Sequence, residues 1–171
     1  MTDTVSYFPH VFETQIVRHD VGSYAYTVVF LDPDIAPQLP FDQHSRLRMS
    51  GEINDIPFEA AWQPVRGRYY AMLSKPVLKA GDLALGDWVE VRFRLEDQEA
   101  VDVPADLRHA LSADIEARDA FDALTAGKRR GLSIWIDSAK RAPTRAKRIS
   151  ATLDILHGRE KYPWEKTKKG R

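Results

Sequence analysis

The sequence predicts an α+β protein: a small closed or split β-barrel over residues 1–103, then three to four helices over residues 104–160. Three observations carry this expectation. Residues 11–95 hold five or six short runs of aromatic and β-branched residues separated by turn signals, as in small barrels and sandwiches. After Pro104 the apolar period lengthens from two residues to between three and four, the helical spacing. The charge also splits along the chain. Residues 1–127 carry 11 Lys and Arg against 21 Asp and Glu, a balance of −10, and residues 128–171 carry 14 against 4, a balance of +10.

The strand candidates follow in order. Phe12–Val17 alternates in part, and Tyr24–Leu31 is aromatic and β-branched, as a well-buried strand should be. Asp32-Pro33-Asp34 stops it, and Ile35–Leu39 fits one short helical turn before Pro40. Arg46–Ile53 alternates, Asn54-Asp55 turns, and Ile56–Trp62 returns as a hairpin partner in which Pro57 marks an edge or a strand start. Arg66-Gly67-Arg68 turns into Tyr69–Leu73. Gly86-Asp87 turns into Trp88–Leu95, whose Val89, Val91, Phe93 and Leu95 share one face while Glu90, Arg92 and Arg94 share the other.

Helix candidates come next. Leu107, Ala110 and Leu111 open the first, and Ile115, Phe121 and Leu124 mark a second that Gly127 is placed to cap. A third runs over Lys128–Ala142 on Leu132, Trp135, Ile136 and Ala139, with Trp135 as a core anchor. Pro143 sits where a new helix starts, and a fourth over Ala146–His157 turns Ile149, Leu153 and Leu156 inward. Residues 161–171 read as a basic, disordered tail.

Composition sets limits. At 43% hydrophobic and 29% charged the chain is ordinary for a globular protein, and no apolar run approaches the ~20 residues of a membrane span. The first residues show no basic stretch leading into an apolar one, so a cytoplasmic location is expected. The absence of cysteine excludes disulfides, thiol nucleophiles, thiolate zinc sites and iron–sulfur clusters.

Several segments together resemble a bacterial family. They are Val77-Leu78-Lys79-Ala80-Gly81, Gly86-Asp87 before Val89-Glu90-Val91, and Val103-Pro104 before Leu107 and Ala110-Leu111. Phe121, Leu124, Trp135-Ile136, Ala139-Lys140, Thr144-Arg145 and Arg148-Ile149 continue the pattern. From about Phe12 to Gly158 the chain resembles the YdeI/OmpD-associated, or bacteriocin-protection, proteins (OmdA-like), with the N-terminal barrel domain of unknown function, DUF1905-like, that is often fused to them. Pro143 and the long segment between Asp32 and Arg46 depart from the pattern. The resemblance implies a split-type barrel of interlocking hairpins followed by a small helical region. It implies no established reaction, and its name points to survival of toxic peptides or envelope stress. Barrels of related shape that bind DNA as dimers are an analogy of fold alone.

The candidate site residues are Lys140, Thr144, Arg145 and Arg148, which helices meeting at Pro143 would bring near a helix N-terminus able to hold a phosphate or carboxylate. In the competing assignment Arg145 and Arg148 pair with barrel carboxylates such as Asp87 or Glu90. A nucleic-acid alternative uses Lys161, Trp164, Lys166, Lys168 and Lys169, with phosphates on the cations and bases on the aromatics. Tyr24, Tyr26, Trp62, Tyr69, Tyr70 and Trp88 either fill the core or line a groove beside Arg66 and Arg68. No Gly-x-Ser-x-Gly, dinucleotide or Walker pattern occurs, and His10, His19, His44, His109 and His157 lack metal-ligand spacing. The expectation is therefore a non-catalytic binding or interaction protein, without metal or cofactor, whose partner is a small anion or a protein. A nucleic-acid binder and then an enzyme of unknown reaction rank behind it, and both a monomer and a homodimer stay open.

Overall fold

The first strand breaks in two at Ile16, and the break shapes the sheet. The computed structural model describes residues 7–166. In the first unit, Met1–Gln98, seven antiparallel strands form one sheet. They are β1 (His10–Gln15), β2 (Val17–Val21), β3 (Tyr24–Phe30), β4 (Leu47–Ile53), β5 (Ile56–Val65), β6 (Arg68–Met72) and β7 (Trp88–Leu95). Their order is β1-β7-β4-β5-β6-β3-β2, curled into a half-barrel, so β1 and β2 lie at opposite ends of the sheet although one residue separates them. Ile16 donates its N–H to the Asp87 carbonyl at 2.9 Å and accepts from the Gly86 N–H at 2.8 Å. Its side chain is fully buried. Both backbone groups of Ile16 are thus paired at the bend. The sequence predicts one strand over Phe12–Val17. The structure instead pairs Thr14 with Val89 and Val17 with Val28, because Gly86-Asp87 supplies both backbone partners at the bend.

The β4–β5 and β5–β6 hairpins turn on two consecutive residues in left-handed backbone. Asn54 and Asp55 have φ of 46° and 66°, and Arg66 and Gly67 have 46° and 76°. These primed turns match the right-handed twist of the strands they join. Asn54 adds a tie of its own: its Oδ1 accepts from the Glu90 N–H at 2.9 Å, and its N–H donates to the Glu90 carbonyl at 3.0 Å.

The core gathers on the inner face, with Trp62 fully buried between Phe12 and Phe93 at ring separations of 6.1 and 5.2 Å. The Trp62 indole N–H finds no partner among the described residues. An unmade bond of this kind costs about 1–3 kcal/mol. Burying an indole gains roughly 4–6 kcal/mol at the usual area coefficient, so packing wins. The helical turn expected at Ile35–Leu39 is a 3₁₀ turn, Ala36–Gln38. It leads Leu39 into the core, and Phe41 stacks on Tyr69 with centroids 3.5 Å apart. Among the barrel aromatics Tyr70 is buried, while Trp88 is 70% exposed and Tyr24 is exposed. α1 (Lys75–Ala80), capped by Ser74, is too short for a helical period to register in the sequence.

The second unit, Glu99–Arg171, begins five residues before the expected boundary. It contains α2 (Ala105–Ser112), α3 (Ile115–Asp122), α4 (Ala126–Asp137), α5 (Ala142–Leu156) and α6 (Pro163–Lys166). Capping sets the boundaries. Asp114 accepts from the Ala117 N–H at 3.0 Å, and Thr125 accepts from the Lys128 N–H at 3.4 Å. Gly127, expected to end a helix, therefore lies inside the first turn of α4. α5 starts at Ala142 rather than Ala146 because Pro143 fits a first helical turn, where no N–H is required. Leu107, Leu111, Phe121, Leu132, Ile136 and Ile155 form the core of this unit. Trp135 is half-buried beside it.

Gly51 is the tightest point of the sheet. It sits opposite Phe58 and Phe93, and a Cβ there would lie 2.1 Å from the Arg92 carbonyl oxygen. Gly51→Ala is expected to destabilise the first unit by about 1–3 kcal/mol or more in urea unfolding. Gly127→Ala, with nothing within 4 Å of its new Cβ, is expected to stabilise the second unit by about 0.5–1 kcal/mol. Equal effects at the two positions would contradict the close approach at Gly51.

Candidate functional site

α4 ends at Asp137 and α5 begins five residues later, so the last carbonyls of one helix face the first turn of the next. Arg145, one turn into α5, spans that junction. Its Nη1 donates to the Ile136 carbonyl at 3.3 Å, and its Nη2 donates to Asp137 Oδ1 at 2.9 Å. Nε and Nη2 together form a two-point bond to Asp106 of α2, with Nη2 to Oδ1 at 3.0 Å. One guanidinium thus joins α2, α4 and α5 in the planar forked geometry that suits a carboxylate. The Arg145 bond holds the Asp106 carboxyl below the usual carboxylate range. The bonds to Asp106 and then Asp137 push Arg145 above its ordinary value.

Arg148, three residues on, turns to the same helix end. Its Nη1 donates to the Trp135 carbonyl at 2.5 Å and to Ser138 Oγ at 2.8 Å. The guanidinium carbon lies 5.3 Å from the Trp135 ring centroid. Two cations thus meet the partial negative charge of the α4 C-terminus. Lys140 and Thr144 stay exposed at the start of α5. The four candidate residues therefore divide into two that build the junction and two that face outward.

Asp87 and Glu90, the carboxylates suggested for Arg145 and Arg148, are engaged within their own unit. Asp87 Oδ2 accepts from the Ala84 N–H at 2.9 Å, and Glu90 Oε1 accepts from Arg92 at 2.6 Å. The actual partner, Asp106, lies 39 residues from Arg145, a separation that local patterning cannot register. Its one sequence signal is its place in the first turn of a helix.

A second polar group ties α3 to the end of α5. His157 Nε2 lies 2.7 Å from Asp114 Oδ2, and His157 Nδ1 lies 3.8 Å from Glu116. The hydrogen bond with His157 is the main cause holding the Asp114 carboxyl below its usual range.

The residues of the nucleic-acid alternative are spread differently from the expected free tail. Trp164 stacks on Tyr162 with centroids 4.8 Å apart and lies against Gly131 of α4. Lys128 sits 5.2 Å from the Tyr162 ring, and Lys166 pairs with Glu160. Residues 161–166 thus close onto α4, with Trp164 against the bare backbone of Gly131 and Tyr162 against the helical core. Lys161 is exposed, and Lys168 and Lys169 lie outside the described residues.

Residues 100–158 match the family described as Bacteriocin-protection, YdeI or OmpD-Associated, and residues 12–93 match a domain of unknown function, DUF1905. The chain joins a DUF1905 domain to a YdeI/OmpD-associated domain. The DUF1905 match lies within the half-barrel unit and the YdeI/OmpD-associated match within the helical unit. The Arg145–Asp106–Asp137 junction falls wholly inside the YdeI/OmpD-associated segment. No curated protein shows a match to the chain. Among the described residues no helix is long and apolar enough to cross a membrane.

The junction makes two predictions. Arg145→Ala should lower the melting temperature of the YdeI/OmpD-associated domain markedly, and Arg145→Lys should restore only part of it, whereas exposed Arg141→Ala should leave it nearly unchanged. Depressed carboxyl values mean stability that is present above the ordinary Asp range and lost as pH falls through the depressed ones. Melting temperature should therefore drop on acidification below about pH 4. The double change Asp106→Asn with Asp114→Asn should start lower at neutral pH and show a flatter acid limb. An unchanged acid limb would remove these two carboxylates as its source.

Proposed function

We propose that the chain is a binding or interaction protein of the bacteriocin-protection type that takes an anionic group, a phosphate or carboxylate, at the start of α5. One observation carries this: Lys140, Arg141 and Lys147, none of which has a carboxylate partner among the described residues, bracket a helix start without a capping side chain. No acid lies in that first turn, and the exposed Thr144 hydroxyl sits within it. Uncapped N–H groups and partial positive charge favour an anion there. Arg145 and Arg148 act as the frame that sets the direction of α5, and Lys140 and Thr144 are the contacting residues.

Inorganic sulfate or phosphate tests this reading. An anion at about ten times its dissociation constant should stabilise the fold by about 1.4 kcal/mol, read as a rise in melting temperature. The double variant Lys140→Ala, Thr144→Ala should lose most of that rise. An equal rise in the variant would mean a general salt effect and would sink the site.

A second reading, single-stranded nucleic acid, is favoured by one observation: Trp164 is 38% exposed, stacked on Tyr162, with Lys161 close in sequence and exposed. It requires steeply salt-dependent binding that Lys161→Ala, Lys168→Ala and Lys169→Ala together reduce. Salt-insensitive binding, or none, would dismiss it.

A further inference from the structure

α2 and α3 present the same short pattern to each other. Each supplies an arginine, a buried apolar residue three positions later and a small polar residue at the fourth: Arg108, Leu111 and Ser112 from one, Arg118, Phe121 and Asp122 from the other. At i, i+3 and i+4 these residues share one helix face. The two faces line an open cleft of about 250 Å³, with Val103 at its side. Its floor is apolar, formed by Val103, Leu111 and Phe121, and its rim is charged.

We propose that this cleft binds a small monocarboxylate with an aromatic body. Size sets the body: an apolar cavity of about 150 Å³ accommodates benzene, so the larger cleft has room for one ring and a short arm. Charge sets the head. Arg108 donates through Nη2 to the Val103 carbonyl at 3.2 Å, which fixes its guanidinium at the edge, and it has no carboxylate partner among the described residues. Arg118 contacts Asp119 at 3.7 Å, with both side chains at least half exposed, a pairing weak enough to be exchanged for a ligand. Asp122 also lines the cleft, so the rim carries one net positive charge. That balance suits one carboxylate and disfavours a dianion. The Ser112 hydroxyl, which donates to the His109 carbonyl at 2.6 Å, keeps its acceptor lone pairs for a ligand donor.

The inference goes beyond the anion surface on α5 and stands or falls separately from it. Phenylacetate is the probe, titrated to about 20 mM into the uniformly ¹⁵N-labelled full chain, a range that detects millimolar binding. Saturable shifts are expected at the amides of Leu111, Ser112 and Phe121. Arg108→Gln and Arg118→Gln should each weaken the fitted affinity about tenfold while the remaining spectrum is retained. Phenethylamine, with the same ring and opposite charge, should leave these amides in place. Absence of phenylacetate shifts there, or equal binding of phenethylamine, would overturn the proposal. Inorganic phosphate separates the two sites: it should move Thr144 and Lys147 and spare the cleft. Phosphate shifting the cleft amides as phenylacetate does would reduce it to an unselective positive edge and likewise overturn it.

Discussion

One guanidinium organises the helical unit. Arg145 is only about one-third exposed, yet it reaches two carboxylates and a helix-terminal carbonyl. Those groups come from two helices, α2 and α4, and the arginine itself belongs to a third, α5. Each of them would be costly to leave unpaired at a partly buried junction. The arginine answers all three because its five donors lie in one plane, whereas a lysine ammonium offers a point charge. Arg148 completes the same helix end through Trp135 and Ser138. With both engaged, the turn between α4 and α5 is held at its angle, and the outward side of the α5 start follows from that angle.

The half-barrel obeys a different constraint, the need to bring the two ends of a sheet together. A strand continuing straight through Ile16 could pair on only one edge. Bending there lets the same segment pair with β7 before the bend and with β3 after it. The Thr14 hydroxyl reaches the Phe30 carbonyl at 3.4 Å, a direct tie between β1 and β3. Edge exposure is a hazard for an open sheet, and this bend reduces it with residues already in the core. Gly51 supports the curl from the middle, since only a bare backbone admits Arg92 and Phe93 so close.

Much of this was legible in the sequence, for local reasons. Alternation in Trp88–Leu95 and the turn chemistry of Asn54-Asp55 depend on neighbouring residues, and both appear in the structure. Helix existence after Pro104 was equally local. What stayed hidden depended on distant partners. Nothing near Ile16 announces a bend, because its cause is Gly86-Asp87 some seventy positions on. The capping role of Thr125 was masked by the more conspicuous Gly127. Lys140, Thr144, Arg145 and Arg148 were grouped in the sequence by their place about Pro143. Their division into frame and surface stayed hidden, since that rests on Asp106 and on the carbonyls at the end of α4.

The charge asymmetry carries the same lesson further. Cut at residue 127, the chain reads −10 and +10, which invites a basic arm opposed to an acidic body. Cut where the structure divides, Met1–Gln98 holds 9 Lys and Arg against 14 Asp and Glu, and Glu99–Arg171 holds 16 against 11, so the imbalance halves to −5 and +5. The difference lies in the acids of α2, α3 and the segment before them, which belong to the helical unit and neutralise its cations internally. Asp106 takes Arg145 and Glu99 approaches Arg129. An anion responds to local potential rather than to a segment total, because at physiological salt a charge is screened beyond about 8 Å. Net charge alone would have spread the site over the whole C-terminal third. Partner counting supports the proposed anion surface in a narrower place: Lys140, Arg141 and Lys147 have no carboxylate partner among the described residues and surround a helix start whose own N–H groups add to the same field.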